Sequence, residues 1–261
     1  MKTKIWKPLC VIAGVIGFNV AMAPAAPIVL MNESFETYAV GSDPTNPGDG
    51  NPNNWDLTDA TSMAVITGGS PGGGSQSLHM GSNTEHPGLS RLFDAQDGTN
   101  GVVYFSADIR FLDNHFTDYN FLINGAGGIG PYVKVRPLDT SGGSQSGISY
   151  YNGSTFTSLG NLVQNDWYRV EVWADIDAGT WDVKVTNVTQ GSAPVSATGI
   201  NMWQSPTSLY QWRFVRGPST ATIQADIDNI QITTNLPEPG SVSLLLLTPV
   251  ALLRRRQAMR R

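Results

Sequence analysis

The stretch NDWYRVEVWADIDAGTWDVKVTN, residues 165–187, decides the fold class of this chain. Apolar and polar side chains alternate along its first half, which is typical of a β-strand with one buried face. The apolar face contains Val170, Val172, Ala174 and Ile176, and the other face contains Arg169, Glu171, Trp173 and Asp175. An Asp-Ala-Gly turn at residues 177–179 separates this strand from a second strand, so the stretch predicts an antiparallel hairpin.

The rest of the body, residues 26–235, repeats the strand pattern. Residues 102–111 and 131–137 alternate in the same way. We also expect strands at residues 28–36, 63–67, 77–80, 120–124, 147–151, 210–215 and 222–233. No stretch of the body has helical periodicity, and Gly-rich connections such as GGSPGGGSQS separate the strands. Many short strands at this spacing predict an all-β sandwich or barrel.

Four segments of the body resemble the concanavalin A-like or laminin G-like jelly roll. They are SFETYAVGS near the start, GGSQSLHM, the hairpin quoted above, and the closing strand ADIDNIQI. The resemblance runs from Phe35 to Ile232 and implies one jelly-roll β-sandwich domain over residues 26–235. Jelly rolls of this kind include lectins, glucanases, alginate lyases, adhesion modules and structural domains, so the resemblance leaves the function open.

The N-terminus has the parts of a secretory signal peptide. Three lysines within the first seven residues precede an apolar run from Leu9 to Phe18, and small residues follow. We expect a signal peptide of residues 1–25 with cleavage after Ala25; the alternative is an uncleaved N-terminal anchor. Cys10 is the only cysteine and lies in the part removed, so the exported body folds without disulfides.

The C-terminus, LPEPGSVSLLLLTPVALLRRRQAMRR, combines a Pro-Glu-Pro motif, a short apolar run and an arginine cluster. The apolar run has about a dozen residues, fewer than the roughly 20 that cross a bilayer comfortably. These parts, in this order, resemble the PEP-CTERM sorting signal. The motif residues are Pro237, Glu238, Pro239, Arg254, Arg255 and Arg256. The resemblance implies that residues 236–261 are a sorting signal, that an exosortase-type enzyme is a partner, and that the chain passes through a transient inner-membrane anchor to the cell surface or extracellular matrix.

The charge of the body differs from that of the whole chain. Three lysines lie in residues 1–25, and five arginines and one glutamate lie in residues 236–261. Removing them from the totals leaves 20 acidic and 8 basic residues, a net charge of −12 for the body against −5 for the chain. This charge argues against nucleic acid and anionic lipid as partners. It fits calcium or neutral polymers, and it also fits a role in solubility alone.

The outward side chains of the predicted strands include aromatic and charged groups that suit a sugar-binding face. Aromatic rings stack on the apolar side of a pyranose, and forked polar groups meet its hydroxyls. The candidate carbohydrate-binding residues are Tyr104, Tyr132, Arg136, Glu171 and Trp173. If their strands are neighbours, Tyr132 and Trp173 are exposed among charges. The alternative is a solvated outer face with ion pairs such as Arg110–Glu171. We expect Trp55, Trp167, Trp181, Trp203 and Trp212 to pack in the core or under loops.

A structural calcium ion is the one cofactor that the jelly-roll resemblance implies. In several carbohydrate-binding jelly rolls, an acid after the first-strand Phe and an Asp on the last strand hold one calcium. The matching positions are Glu36 and Asp228, and Asp226 or Glu33 would complete the oxygen ligands together with backbone carbonyls. The alternative is that these acids are solvated strand ends.

No catalytic residues are predicted. Glucanases of this fold place three acids on one strand in a pattern close to E-x-D-x-x-E, but Trp173 occupies the middle position here. Glu171 and Asp175 are four residues apart, about 13 Å along a strand. This exceeds the distance that the two carboxylates of a glycosidase span. The histidines are scattered and match no lyase motif.

The sequence therefore predicts a secreted surface or extracellular-matrix protein, not an enzyme, whose jelly-roll domain binds carbohydrate or serves a structural role. The remaining alternative is a polysaccharide-degrading enzyme, a glycoside hydrolase or lyase, on the same fold.

Overall fold

A computed structural model describes residues 27–44, 55–58, 63–81, 88–98, 101–112, 118–136, 147–216 and 224–234. The described residues form two β-sheets in which every strand pairing is antiparallel. The predicted signal peptide and the predicted sorting signal lie outside these residues. Within the described part of the chain, no helix is long and apolar enough to cross a bilayer.

The first sheet, called sheet I below, has eight strands. They are β1 (Ile28–Glu33), β3 (Met63–Thr67), β4 (Gln76–Met80), β6 (Val103–Phe111), β11 (Trp167–Asp175), β12 (Thr180–Asn187), β13 (Val195–Asn201) and β15 (Ala225–Thr234). Seven of them lie in the order β13-β12-β11-β6-β15-β4-β3, and β1 pairs with β15 outside this order. The first half of β15 pairs with β4, and its second half pairs with β1.

The second sheet, sheet II, has seven strands. They are β2 (Asp56–Thr58), β5 (Gly88–Gln96), β7 (Tyr119–Ala126), β8 (Gly128–Arg136), β9 (Gly147–Tyr151), β10 (Phe156–Gly160) and β14 (Ser208–Arg216). Their order is β10-β9-β8-β7-β14-β5-β2. The predicted all-β sandwich is confirmed.

The core lies between the inner faces of the two sheets, where alternation places the apolar residues. Val170, Val172 and Ala174 on β11 have no exposed surface, and the four side chains predicted to face outward on that strand are all partly exposed. The rings of Trp212, Phe121 and Phe214 are fully buried and contact one another. Trp55, Trp167, Trp181 and Trp212 are 4% exposed or less, as expected of core residues.

Several strand predictions differ from the structure. β1 ends at Glu33 and not at residue 36, because Phe35 has a positive φ of 60° and its N–H donates to the Glu33 carboxylate at 2.8 Å. Strands β2, β5, β10 and β13 were not predicted. β2, β10 and β13 are edge strands of their sheets, and most side chains of β10 and β13 are at least partly exposed. An edge strand that buries neither face fully has no reason to alternate in sequence.

Candidate functional site

The structure separates the predicted sugar-binding residues onto two opposite faces. Tyr104 and Trp173 lie opposite each other on β6 and β11, and Glu171 lies two residues before Trp173, all on the outer face of sheet I. Tyr132 lies on β8, in sheet II. Arg136 is the last residue of β8, and its side chain lies outside the described part. The condition that these strands are neighbours is not met by β8, which lies in the other sheet from β6 and β11, so the five residues do not form one face.

Tyr132 instead belongs to a group of aromatic side chains on the outer face of sheet II. We call this group, Tyr132, Tyr151, Phe156 and Trp203, the aromatic cluster. The Tyr132 and Trp203 rings are stacked, with centroids 5.6 Å apart and an interplanar angle of 26°. Tyr151 packs against both Phe156 and Trp203, with centroids 5.1 Å apart in each pair. Phe156 also meets Tyr132 edge-on at 5.0 Å. Each ring therefore contacts at least two others.

Three neighbouring strands and one turn bring these rings together. Val133 pairs with Tyr150, so the next residues along each strand, Tyr132 and Tyr151, point to the same outer face. Phe156 is the register partner of Tyr151 across the β9–β10 hairpin. Trp203 comes from the turn that follows β13, and therefore from a segment that begins in the other sheet.

Backbone hydrogen bonds fix the turn that carries Trp203. The N–H of Gln204 donates to the Ile129 carbonyl at 2.9 Å, and the Ile129 N–H donates to Gln204 Oε1 at 2.9 Å. Gly128 has a φ of +142°, and a side chain there would collide with Gln204. The turn is therefore tied to β8 from both directions, which holds the Trp203 ring beside Tyr132 before any ligand binds.

Polar groups surround the aromatic cluster. Lys134 Nζ lies 3.9 Å from the Phe156 ring centroid and forms a salt bridge of 3.0 Å with Asp118. The Tyr132 hydroxyl donates to Asn120 Oδ1 at 2.8 Å. Burial raises the pKa of Tyr132 to about 12, so its phenol is neutral at physiological pH. Flat rings with amide, hydroxyl and ammonium groups at their edges suit a sugar ring, whose apolar face stacks while its hydroxyls form hydrogen bonds.

Exposure distinguishes the aromatic cluster from the buried tryptophans. Phe156 and Trp203 are each 38% exposed, whereas Trp212 has no exposed surface. The prediction that Trp203 packs in the core or under a loop is wrong, because the side chain is exposed on the surface of the domain. Stacking on neighbouring rings covers one part of Trp203 and leaves the rest open to solvent. The open part is large enough to matter for binding, because an indole buries roughly 150–250 Å² when it is fully covered.

The outer face of sheet I carries a smaller aromatic pair. The Tyr104 and Trp173 rings have centroids 5.3 Å apart, and Lys184 Nζ lies 5.9 Å from the Trp173 ring. Lys184 forms a 2.6 Å salt bridge with Glu171, which also accepts a hydrogen bond of 3.2 Å from the Tyr104 hydroxyl. The alternative of an outer face with ion pairs named Arg110–Glu171 as an example, but Arg110 pairs with Asp226 and Glu171 pairs with Lys184.

A buried network of carboxylates occupies the same outer face, farther along β6 and β15. Asp108, Asp226 and Asp228 all have no exposed surface. Asp226 accepts hydrogen bonds from Arg110 Nε at 2.8 Å and is 2.7 Å from His79 Nδ1. Both carboxylate oxygens of Asp108 accept from Arg169 at 2.7 Å. The sequence alone does not predict that these carboxylates form hydrogen bonds and ion pairs with basic side chains, because the partners lie on other strands.

The Gly-rich connection between β3 and β4 covers this network. The Ser70 hydroxyl donates to Asp108 Oδ2 at 2.7 Å, and the Ser70 N–H donates to Asp228 Oδ2 at 2.8 Å. Asn229, which has a positive φ of 49°, also donates through Nδ2 to Asp108 at 2.8 Å. Burial and the nearby Asp108 charge raise the pKa of Asp228 to about 6, so its carboxylate is held in an environment that disfavours its charge.

Two of the predicted calcium ligands, Glu36 and Asp226, already accept hydrogen bonds from protein groups. Glu36 Oε1 accepts from the Ser75 and Gln76 N–H groups at 2.7 Å, and the Gln76 bond in particular lowers the pKa of Glu36. Asp226 does not fit a calcium site, because Arg110 and His79 hold its oxygens. No group of three or more His, Cys, Asp or Glu suited to a metal occurs among the described residues.

Asp228 remains the candidate ligand for calcium. Its Oδ2 accepts the Ser70 N–H at 2.8 Å, and its Oδ1 accepts the Asn229 N–H at 2.7 Å. A carboxylate oxygen that accepts one hydrogen bond keeps a second acceptor site, so these bonds do not prevent coordination of a cation. A bound cation would also offset the unfavourable charge of Asp228.

We predict that calcium raises the melting temperature of the exported domain and that a chelator lowers it. Binding to the folded state alone stabilises it by about 2.7 kcal/mol at a hundredfold excess over Kd. Asp228→Asn serves as the matched variant, because it removes the carboxylate but keeps an acceptor for the Ser70 N–H. Differential scanning calorimetry with EDTA or with millimolar calcium measures both proteins. Equal melting temperatures of the wild type in the two buffers would refute the calcium prediction.

A cavity of about 260 Å³ opens between the two sheets at one end of the sandwich. Its walls include Ile148, Val163, Val185 and Val195. The Tyr168 hydroxyl at this cavity accepts the Val163 N–H at 2.7 Å and is already bonded to Asn187. The cavity contains none of the aromatic cluster residues, and the polar groups at its edge bind one another.

The fold and site thus define an antiparallel β-sandwich with an exposed aromatic cluster on one outer face. No family model matches the chain, and no curated protein sequence matches it. Its similarity to known proteins lies in solved structures.

Three solved structures illustrate the range of proteins to which the chain is similar. A carbohydrate esterase from Shiga toxin-encoding bacteriophage phi24B has a TM-score of 0.52 and 12% identity, and the match covers 81% of this chain and 100% of that chain. Domain 4 of AbnA, a GH43 extracellular arabinanase from Geobacillus stearothermophilus in complex with arabinotriose, has a TM-score of 0.50 and 13% identity, covering 84% and 98%. Lectin II from Ulex europaeus has a TM-score of 0.48 and 10% identity, covering 82% and 100%. The chain spans only 17% of the length of a sialidase that it also matches. The matches to the esterase and the arabinanase domain show the jelly-roll sandwich fold, and at identities this low they show nothing finer.

Proposed function

We propose that the domain binds neutral polysaccharide through the aromatic cluster on the outer face of sheet II. The observation that carries this proposal is the exposure of Phe156 and Trp203 at 38% each, in a group of four mutually packed rings. Single exposed apolar residues are common on protein surfaces, but a contiguous patch of exposed aromatic rings is typical of a binding site.

The chemistry around the rings favours a neutral ligand. The ammonium group of Lys134 is already paired with Asp118, and the Tyr132 phenol is neutral. The body has a net charge of −12, which repels anionic polymers over the range of a Debye length. A carbohydrate esterase and an arabinanase domain in complex with arabinotriose share this fold, which is consistent with a sugar ligand.

The predicted location follows from the two terminal segments. We infer that residues 1–25 direct export and that residues 236–261 sort the protein through an exosortase-type partner to the cell surface or extracellular matrix. Mass spectrometry of the exported protein tests this, and the expected chain lacks residues 1–25 and ends near Pro237 to Pro239. Finding Arg254 to Arg261 intact on most of the exported protein would contradict the sorting signal.

The domain, in this proposal, is a binding module and not an enzyme. Glu171, the first of the two acids considered for catalysis, forms a salt bridge with Lys184 at 2.6 Å. Asp175, the second, accepts the Ala178 N–H at 2.9 Å in the β11–β12 turn. Both carboxylates therefore serve local structure, which leaves them poorly suited to the acid and nucleophile roles of a glycosidase.

Affinity electrophoresis tests the proposed function. The exported domain runs through native gels that contain xylan, β-1,3-glucan, galactomannan, arabinan or no polymer. We expect retardation in at least one neutral polysaccharide. Phe156→Ser removes an exposed ring from an edge strand and should weaken the retardation. Leu92→Ser removes a side chain that is 58% exposed on β5, three strands from Tyr132, and should leave it unchanged.

Two outcomes would overturn the proposal. Free migration in every polymer would mean that the aromatic cluster does not bind neutral polysaccharide. New reducing ends, measured after incubation of each polymer with the protein, would show degradation and favour the alternative of a polysaccharide-degrading enzyme.

A further inference from the structure

The pair Tyr104 and Trp173 on sheet I is a second group of aromatic rings, smaller than the aromatic cluster and on the opposite face of the sandwich. The inward positions beside Trp173 are filled by Val172 and Ala174, which have no exposed surface. Strand alternation therefore forces Trp173 outward, where burial in the core does not explain a large aromatic ring. Its register partner on β6 is Tyr104, so the two rings stand side by side on neighbouring strands.

Polar side chains frame this second aromatic surface. Glu171 and Lys184 form a 2.6 Å salt bridge next to the rings, and Lys184 Nζ lies 5.9 Å from the Trp173 ring. The Tyr104 hydroxyl donates to Glu171 at 3.2 Å. Burial raises the pKa of Tyr104 to about 12, so this phenol is a neutral hydrogen-bonding group. A carboxylate and an ammonium group are groups that sugar hydroxyls bind, and the partly exposed indole beside them can stack on the apolar face of a sugar ring.

The two surfaces cannot contact one polymer strand at the same place. Trp173 lies on the outer face of sheet I and the aromatic cluster lies on the outer face of sheet II. The two sheets of a sandwich pack about 10 Å apart, so the outer side chains of the two faces are separated by about 20 Å of protein. A chain stacked on one face would have to pass around the edge of the domain to reach the other.

We propose that each molecule binds two neutral polysaccharide strands at once, one on each outer face, and so cross-links them. This inference rests on the proposed function, because it extends sugar binding from the aromatic cluster to the Tyr104–Trp173 surface. A monomer with two opposed sites joins polymer strands without any need for dimerisation. Once one face is bound, the high local concentration of polymer in a matrix favours binding at the second face.

Binding stoichiometry tests the second site directly. The probe is an oligosaccharide of about six sugars prepared from the polysaccharide that retards the domain most. A hexasaccharide that stacks on one outer face cannot also pass around the edge of the domain, so one molecule of the probe does not occupy both surfaces. Isothermal titration calorimetry should give two sites per wild-type chain and one site per chain for Trp173→Ala and for Trp203→Ala. Tyr210→Ala, which removes an exposed tyrosine on β14 outside both surfaces, should still give two.

Cross-linking is then measured as aggregation of beads coated with the same polysaccharide. The wild type and Tyr210→Ala should aggregate the beads, whereas Trp173→Ala and Trp203→Ala should bind to them without aggregating them. Sedimentation of each protein confirms that it is monomeric, and its melting temperature confirms that it is folded.

The outcomes separate this inference from the proposed function. One site per wild-type chain, lost in Trp203→Ala and unchanged in Trp173→Ala, would overturn the second site and leave the proposed function standing. Absence of binding by the wild type would overturn both. Aggregation by a chain with one site would show that bridging occurs through self-association, which also contradicts the inference.

Discussion

Replacing Asp108 with alanine is expected to lower the free energy of unfolding by about 3–5 kcal/mol. Asp108 has no exposed surface, and its two oxygens accept hydrogen bonds from Arg169, Ser70 and Asn229. The alanine variant leaves a guanidinium, a hydroxyl and an amide that have lost an acceptor in a buried setting. Each lost partner costs about 1–3 kcal/mol when the remaining group cannot reach water.

The salt bridge between Glu171 and Lys184 provides a control on the same sheet face. Its side chains are 13% and 37% exposed, so solvent screens the pair. Glu171→Ala is expected to cost about 0.2–1 kcal/mol. Urea unfolding of the three proteins, followed by tryptophan fluorescence, gives the free energies from the midpoint and slope. Equal losses for the two variants would show that the buried network contributes no more to stability than a surface ion pair.

The network also shows what the sequence reveals about acidic residues. The alternation along residues 102–111 predicts that Asp108 faces away from the core, and the structure places it on that outer face, opposite Asp228. The sequence does not show that the connection between β3 and β4 folds back over them. Ser70 binds both acids from a distance of 38 and 158 residues along the chain. Local patterns carry no information on such contacts.

Alternation predicted the hairpin of β11 and β12 well, because those strands have one fully buried face and one exposed face. The same rule placed Trp173 on the outside correctly. It could not locate the aromatic cluster, because Phe156 lies on an edge strand without a strong pattern and Trp203 lies in a turn. Their proximity to Tyr132 depends on strand order in sheet II, which the periodicity of a single strand does not contain.

Replacing Trp203 with alanine is expected to weaken polysaccharide binding at the aromatic cluster by about 30-fold or more. Trp203 stacks on Tyr132, packs against Tyr151, and exposes 38% of its surface. Truncating a tryptophan at the centre of a binding surface costs at least about 2 kcal/mol. Because 1.4 kcal/mol corresponds to a tenfold change in Kd, this loss is about 30-fold. The effect on stability should be smaller than that of Asp108→Ala, since part of the ring already faces solvent.

Trp203→Phe distinguishes stacking from a general disturbance of the turn. A phenyl ring keeps a flat apolar face and the contact with Tyr132, so most of the affinity should remain. The hydrogen bonds that tie the turn to β8 involve Gln204 and Ile129, which neither substitution removes. Both variants are therefore expected to unfold at temperatures close to that of the wild type.

The central claim is that the aromatic cluster is the sugar-binding surface. The most direct measurement is the Kd for the oligosaccharide used to count sites, determined by calorimetry on three folded proteins: Trp173→Ala, Trp173→Ala with Trp203→Phe, and Trp173→Ala with Trp203→Ala. The shared Trp173→Ala substitution removes the second surface, so each Kd reports the aromatic cluster alone. The account predicts that Trp203→Phe changes this Kd by no more than about threefold and that Trp203→Ala weakens binding about 30-fold, which corresponds to about 2 kcal/mol. An affinity that Trp203→Ala leaves unchanged in this background would contradict it.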